Sequence, residues 1–221
     1  MKNSILFSLF VMVLFIVSCG GPEGTKVESE EATEVATETM PAATYMVDVA
    51  ASTINWAGTK LVGGGHEGTI NITDGKLAIA GGNIVGGMFT IDMNTLTCTD
   101  LEEDGGKGKL EGHLKSADFF DVENHGIATF EIASVSPATD TEGISHNITG
   151  NLTMKGQARS ITIPANVTMT DGMLKASAPD FVIDRTEWGI EYGSDGSIAD
   201  LAKDKVINDN IGLSLMLVAK K

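Results

Sequence analysis

Over long stretches of this 221-residue chain, apolar and polar residues alternate with a period of two. Ile148, Gly150, Leu152 and Met154 interleave with Asn147, Thr149, Asn151, Thr153 and Lys155. Ile161, Ile163, Ala165, Val167 and Met169 interleave with Thr162, Pro164, Asn166 and Thr168, and Ala128, Phe130 and Ile132 with Thr129 and Glu131. Near the C-terminus come Leu213, Leu215, Leu217 and Ala219. This period matches the pleat of a strand with one dry and one wet face and does not match the 3.6-residue turn of a helix. Turn signals punctuate the pattern at Asp74-Gly75, Gly81-Gly82-Asn83, Glu142-Gly143 and Asp171-Gly172,. Short connections favour an antiparallel meander. About eight such strands predict an all-β barrel or sandwich.

Two segments break the rhythm. In Lys107–Ser116, Leu110 and Leu114 stand four apart, as on one helical face, which predicts one short helix,. Thr186–Lys205 has no clean period and reads as a long loop with one helical turn at residues 198–201. Glycine is abundant, 26 residues, where average usage of ~7% would give about 15. The positions Gly63-Gly64-Gly65, Gly86-Gly87 and Gly150 fall in strands or at their ends, where glycine marks bulges and bends of a curved sheet,. The triplet lacks the Gly-Lys-Ser/Thr ending and following helix of a phosphate-cradling loop.

The N-terminus has a different logic. After Lys2, residues 5–17 are mostly apolar, and Ser18-Cys19 follows. One early cation, a short apolar run and a small residue before the break predict a secretory signal over residues 1–18; a membrane span needs ~20 residues. Ile16-Val17-Ser18-Cys19 resembles the lipobox of bacterial lipoproteins, which implies cleavage before Cys19 and acylation of its thiol. Stable anchoring takes more than one acyl chain, and the lipoprotein pattern supplies a diacylglycerol plus an N-acyl chain. Gly20 rather than Asp follows the cysteine, so the resemblance to bacterial lipoprotein sorting patterns implies the outer membrane, on its periplasmic or surface face. Residues 19–44 are rich in Glu, Thr, Ala and Gly and hold no aromatics, so they are expected to form an acidic disordered tether,. Residues 45–221 then make one domain, large enough for a proper core.

Several function classes are excluded. A net charge of −15 argues against nucleic-acid binding,. It also disfavours anionic headgroups, leaving attachment to the anchor. With Cys19 committed to lipid, Cys98 has no disulfide partner and reads as a small packed residue,. His66, His113, His125 and His146 form no metal-ligand motif, so neither a metal site nor a cofactor is expected,. His113 and His125 read as solvated. There is no Gly-x-Ser-x-Gly elbow, and Glu102-Glu103-Asp104 lies in a polar loop, so no enzyme is expected,.

Seven segments, in order, carry a family resemblance. They are Ser52–Lys60, His66-Glu67-Gly68-Thr69, Gly87–Asp92, Leu114–Asp121 with Ala128-Thr129-Phe130, Gly150–Gly156, Asp184–Gly189 and Asn208-Asp209-Asn210-Ile211. The last departs mildly from the usual Asp-Glu-Ile. Over residues 45–220 the chain resembles the YceI-like family of bacterial lipid-binding proteins. That resemblance implies an extended, eight-stranded antiparallel barrel, lipocalin-like in shape, with one short helix and a long interior pocket. It also implies an apolar ligand: a polyisoprenoid, an isoprenoid quinone or a fatty-acid derivative. A barrel of this size is just wide enough for filling side chains or one slender ligand, and each buried methylene is worth ~0.8 kcal/mol.

Phe89, Phe130 and Phe181, each with an isoleucine two residues on (Ile91, Ile132, Ile183), lie on inward faces. Phe119 and Phe120 follow the helix and are placed to close one end. With Trp56 and Trp188 these residues form the candidate ligand wall. A filled barrel shares the same alternation, so a packed structural or interaction module without a ligand is the alternative. Lys60 and His66 are candidates for contact with a polar headgroup. The resulting expectation is an envelope lipoprotein that carries a long apolar lipid inside a β-barrel. The sequence leaves its oligomeric state open.

Overall fold

The period-two segments become long strands in the computed structural model, which describes residues 21–35, 43–139, 143–195 and 204–221. In chain order the strands are β1 (Thr25–Lys26), β2 (Ser29–Glu31), β3 (Ala43–Val47), β4 (Thr53–Lys60), β5 (Gly65–Ala80) and β6 (Asn83–Cys98). After the helix α1 (Lys107–Lys115) come β7 (Ile127–Pro137), β8 (His146–Met154), β9 (Gln157–Thr170), β10 (Met173–Asp184) and β11 (Ile207–Lys220). Single 3₁₀ turns occupy Val49–Ala51 and Arg185–Trp188.

From β5 to β11 each strand pairs antiparallel with the next. Closure comes from β3 and β4, which share one stave. β11 pairs with β4 (Leu213 opposite Trp56) and with β3 (Ala219 opposite Val47), and both pair on their other side with β5. The result is the expected closed eight-stranded antiparallel barrel with one helix. A closed barrel leaves no open sheet edge, so the sandwich is excluded. The helix matches its expected span to within one residue.

Asp74-Gly75 differs from expectation. It lies inside the 16-residue strand β5, at a register shift between Ile72 and Asp74. A Cβ on Gly75 would come within 2.7 Å of Val47 Cγ2 and 2.9 Å of Phe89 Cδ1. Glycine here lets two core side chains close over a bulge; it does not reverse the chain. The helical turn expected at residues 198–201 lies outside the described residues, as do the signal segment and Cys19.

The larger correction concerns the tether. Residues 25–31 are ordered against the barrel. β9 and β10 pair with each other only next to their turn, Asn166–Thr170 with Met173–Ser177. The N-terminal arm occupies the seam below. β1 runs parallel to β10 at Phe181 and Val182, and β2 runs antiparallel to β9 at Ile161, Ser160 and Arg159. Between them Val27 donates its N–H to Val182 O at 2.8 Å and buries its side chain in the core. Thr33 then clasps Asn151 of β8: its N–H donates to Oδ1 at 2.8 Å, and its carbonyl accepts from Nδ2 at 2.7 Å. Composition judged the segment in isolation, whereas here β9 and β10 supply its hydrogen-bond partners.

Candidate functional site

The inward residues of all eight staves do not fill the barrel. They surround a cavity of ≈ 200 Å³, traced by the centre of a water-sized sphere. A single water occupies ~10–15 Å³ on that measure, so the space exceeds by an order of magnitude what a stray solvent molecule needs. Its wall is apolar apart from Arg185 and Ser214. Such a surface offers water few partners and suits a hydrocarbon chain.

Eight of the expected wall residues line this cavity: Trp56, Phe89, Ile91, Phe119, Phe120, Phe130, Ile132 and Phe181. Phe89 and Phe130 face each other across β6 and β7, with ring centroids 6.4 Å apart. A Cβ on Gly150 would come within 2.5 Å of Phe130 Cζ, so that glycine leaves the ring its place. Ile183 and Trp188, expected in the wall, are fully buried elsewhere in the core. Ile183 keeps the alternation with Phe181, the two standing opposite Ile211 and Leu213 of β11, but it packs wholly within the core and does not reach the cavity. Trp188 sits in the 3₁₀ turn after β10 and donates its indole N–H to Leu152 O at 2.9 Å. Its role is structural.

Other wall residues were legible but not chosen. Leu152, Ile161, Ile163, Ala165, Leu215 and Leu217 follow the same alternation and line the cavity as well. Arg185 left no such signal. Its guanidinium is buried and bonds across the barrel end to Asn208 O, Ile190 O and Ile207 O, and to Asp209 Oδ1 at 3.3 Å. Burial pulls its pKa down, against the opposing pull of Asp209 and Asp184.

Neither expected headgroup residue reaches the cavity. Lys60 is exposed at the end of β4. His66 turns to Asp100, with Nδ1 2.9 Å from Oδ2. Asp100 also accepts from Cys98 Sγ at 2.9 Å and from the Glu67 N–H at 3.1 Å. Burial raises the Asp100 pKa, but these donors outweigh it and hold the carboxyl at about 2. The Cys98 thiol is pushed up by burial and by the same carboxylate. Cys98 is buried, as its reading as a small packed residue expects, and it shares the Asp100 carboxylate with His66.

The helix is fastened to this corner. Glu111 Oε1 accepts from Thr97 Oγ1 at 2.7 Å and from the Cys98 N–H at 2.9 Å, and these bonds hold the carboxyl below its ordinary pKa. His113, expected to be solvated, packs edge-on to Phe119 and Tyr192 at 5.0 and 4.8 Å. Leu114 beside it lines the cavity. The helix therefore acts as a cover held by one carboxylate. Glu111→Ala is expected to cost ~1–3 kcal/mol through the orphaned Cys98 N–H, measurable by denaturant unfolding.

With this geometry in hand, the comparisons are specific. A family model described as a YceI-like domain matches residues 45–219. A UPF0312 protein of Ectopseudomonas mendocina is 34% identical over 98 residues, 44% of this chain and 47% of that protein. A UPF0312 protein of Vibrio cholerae is 28% identical over 126 residues, 56% of this chain and 62% of that protein. The chain thus spans less than two thirds of the length of these relatives. Among solved structures, Burkholderia cenocepacia BcnA superposes with a TM-score of 0.61 at 21% identity, over 79% of this chain and 99% of that one. A polyisoprenoid binding domain from Saccharophagus degradans, implicated in plant cell wall breakdown, superposes with a TM-score of 0.56 at 16% identity, over 80% and 97%. At these identities the two structures share the fold.

Proposed function

The chain belongs to the YceI-like domain family, and from that premise we propose that it holds one long apolar lipid inside its barrel. The ligand class is a polyisoprenoid, an isoprenoid quinone or a fatty-acid derivative. The observation that carries this reading is the cavity: walled by apolar side chains from every stave, and far larger than a single water needs,. The polyisoprenoid-binding neighbour has the same barrel and supports the choice of ligand. Binding needs few polar contacts, because ~0.8 kcal/mol per buried methylene accumulates along a long chain. The protein binds and carries its ligand; no chemistry on it is proposed.

We further propose that it works in the cell envelope, anchored through acylated Cys19 at the outer membrane. The lipobox-like Ile16-Val17-Ser18-Cys19 motivates this. Cys19→Ala is expected to abolish fatty-acid labelling and release the protein from membranes; equal labelling of the variant would sink the anchor.

Organic extraction of the purified protein tests the ligand directly. Native mass spectrometry should show a discrete increment of at least several hundred daltons by the chain-length argument, lost on denaturation. Ala165→Trp obstructs the cavity without adding charge. It is expected to lower lipid occupancy while costing less than the ~1–3 kcal/mol of overpacking a filled core. No lipid from the parent protein, together with a full overpacking cost, would favour the packed module.

A further inference from the structure

Outside the barrel interior, one group of side chains converges in a way that hydrogen bonding alone does not require. The β5–β6 register sets Gly68 opposite Cys98. Two residues before Gly68 comes His66, and two residues after Cys98 comes Asp100, so the corner turns both toward the same point. Thr99 donates its N–H to Glu67 O at 2.9 Å, and Glu67 returns its own to Asp100 Oδ1 at 3.1 Å. The carboxylate is thus held by backbone, with an imidazole nitrogen on one oxygen and a thiol on the other, both at 2.9 Å. One ligand atom from each of the three side chains lies within 4.8 Å of the other two.

We propose that His66, Cys98 and Asp100 form a binding site for a borderline-soft divalent cation, zinc by its donor set. Thiolate, imidazole and carboxylate together are the donors zinc takes, at ~2.3, ~2.0 and ~2.1 Å. Around a tetrahedral ion these distances separate the ligand atoms by roughly 3.3–3.8 Å. The two contacts with Asp100 are 2.9 Å, and no pair of ligand atoms is more than 4.8 Å apart, so side-chain shifts of about an ångström admit the ion. Ligation replaces the Cys98 proton, which passes to solvent, and the imidazole binds through Nδ1. The fixed Asp100 provides the orientation that metal ligands draw from their surroundings. Cys98 is buried, whereas the side chains of His66 and Asp100 are 43% and 29% exposed. The ion therefore has a route in from solvent and keeps a coordination position for water. Glu111 bonds the Cys98 N–H, so the site lies at the root of the helix that covers the cavity. The assignment does not depend on the lipid reading.

The test uses the full chain carrying Cys19→Ser, which leaves Cys98 as its sole thiol, titrated with Co²⁺ alone. The expected result is one Co²⁺ per chain with a sulfur-to-cobalt charge-transfer absorption, displaced by Zn²⁺, and slower reaction of Cys98 with thiol reagents when the metal is bound. His66→Gln, at an exposed position that leaves the fold intact, should weaken binding at least ~10-fold. Cys98→Ser should remove the charge-transfer band; Asp100→Asn supplies a second ligand test should Cys98→Ser unfold. A folded parent with no thiolate band, or a band that survives His66→Gln at unchanged affinity, overturns the proposal.

Discussion

Val27→Asp is expected to destabilise the barrel by ~3 kcal/mol or more, although Val27 lies within an acidic segment that composition marks as a tether. The side chain is 6% exposed and belongs to the core cluster. Burying a valine is worth ~1.5–3 kcal/mol, and a carboxylate placed there adds the cost of an unpaired buried charge. Deleting residues 21–35 should likewise cost at least ~2 kcal/mol, because it removes the Val27 contact together with the strand bonds to β9 and β10. Denaturant unfolding of the full chain measures both. Amide exchange gives a local check: the Val27 N–H, bonded to Val182 O at 2.8 Å, should exchange slowly. Fast exchange at Val27 with unchanged unfolding energy for both variants would return the arm to the status of a tether.

The arm also shows where sequence reading stops. A period-two strand carries its own evidence, because each residue reports which face it occupies. That is why β7, β8, β9 and β11 and the wall positions Phe89, Phe130 and Phe181 were readable. β1 and β2 have two and three residues, too few for any period, and their partners are β10 and β9, far away in sequence. Ile183 shows a different limit: alternation puts it on the inward face with Phe181, but the period does not say how far along the strand the cavity extends,. Asp74-Gly75 failed for a related reason. An Asp-Gly pair is a strong turn signal when the strands around it end there, but β5 continues through it to Ala80. His66 and Cys98 lie 34 and 2 residues from Asp100, and only the hairpin register brings them together. No local pattern encodes that meeting, although a correct β5–β6 register would have predicted it.

Arg185 is the opposite case, a single residue whose loss should be felt across the whole barrel end. It ties three carbonyls into one cluster: Ile190 O from the loop after β10, and Ile207 O and Asn208 O from the start of β11. Arg185→Leu keeps apolar bulk against the cavity but removes every donor. Each carbonyl left buried without a partner costs ~1–3 kcal/mol, so a loss of at least ~3 kcal/mol is expected. Arg185→Lys separates geometry from charge. An ammonium keeps the attraction to Asp209, which is 34% exposed and needs it little,. It cannot reproduce the planar fork that reaches carbonyls on two segments. Lysine should therefore recover less than half of the loss on unfolding. Because the guanidinium also forms part of the cavity wall, both variants should bind lipid less well than Ala165→Trp-type obstruction alone would explain, through loosening of the end that Ile190 and Ile207 close. A lysine variant as stable as the parent would show that charge, not the fork, holds this end of the barrel together.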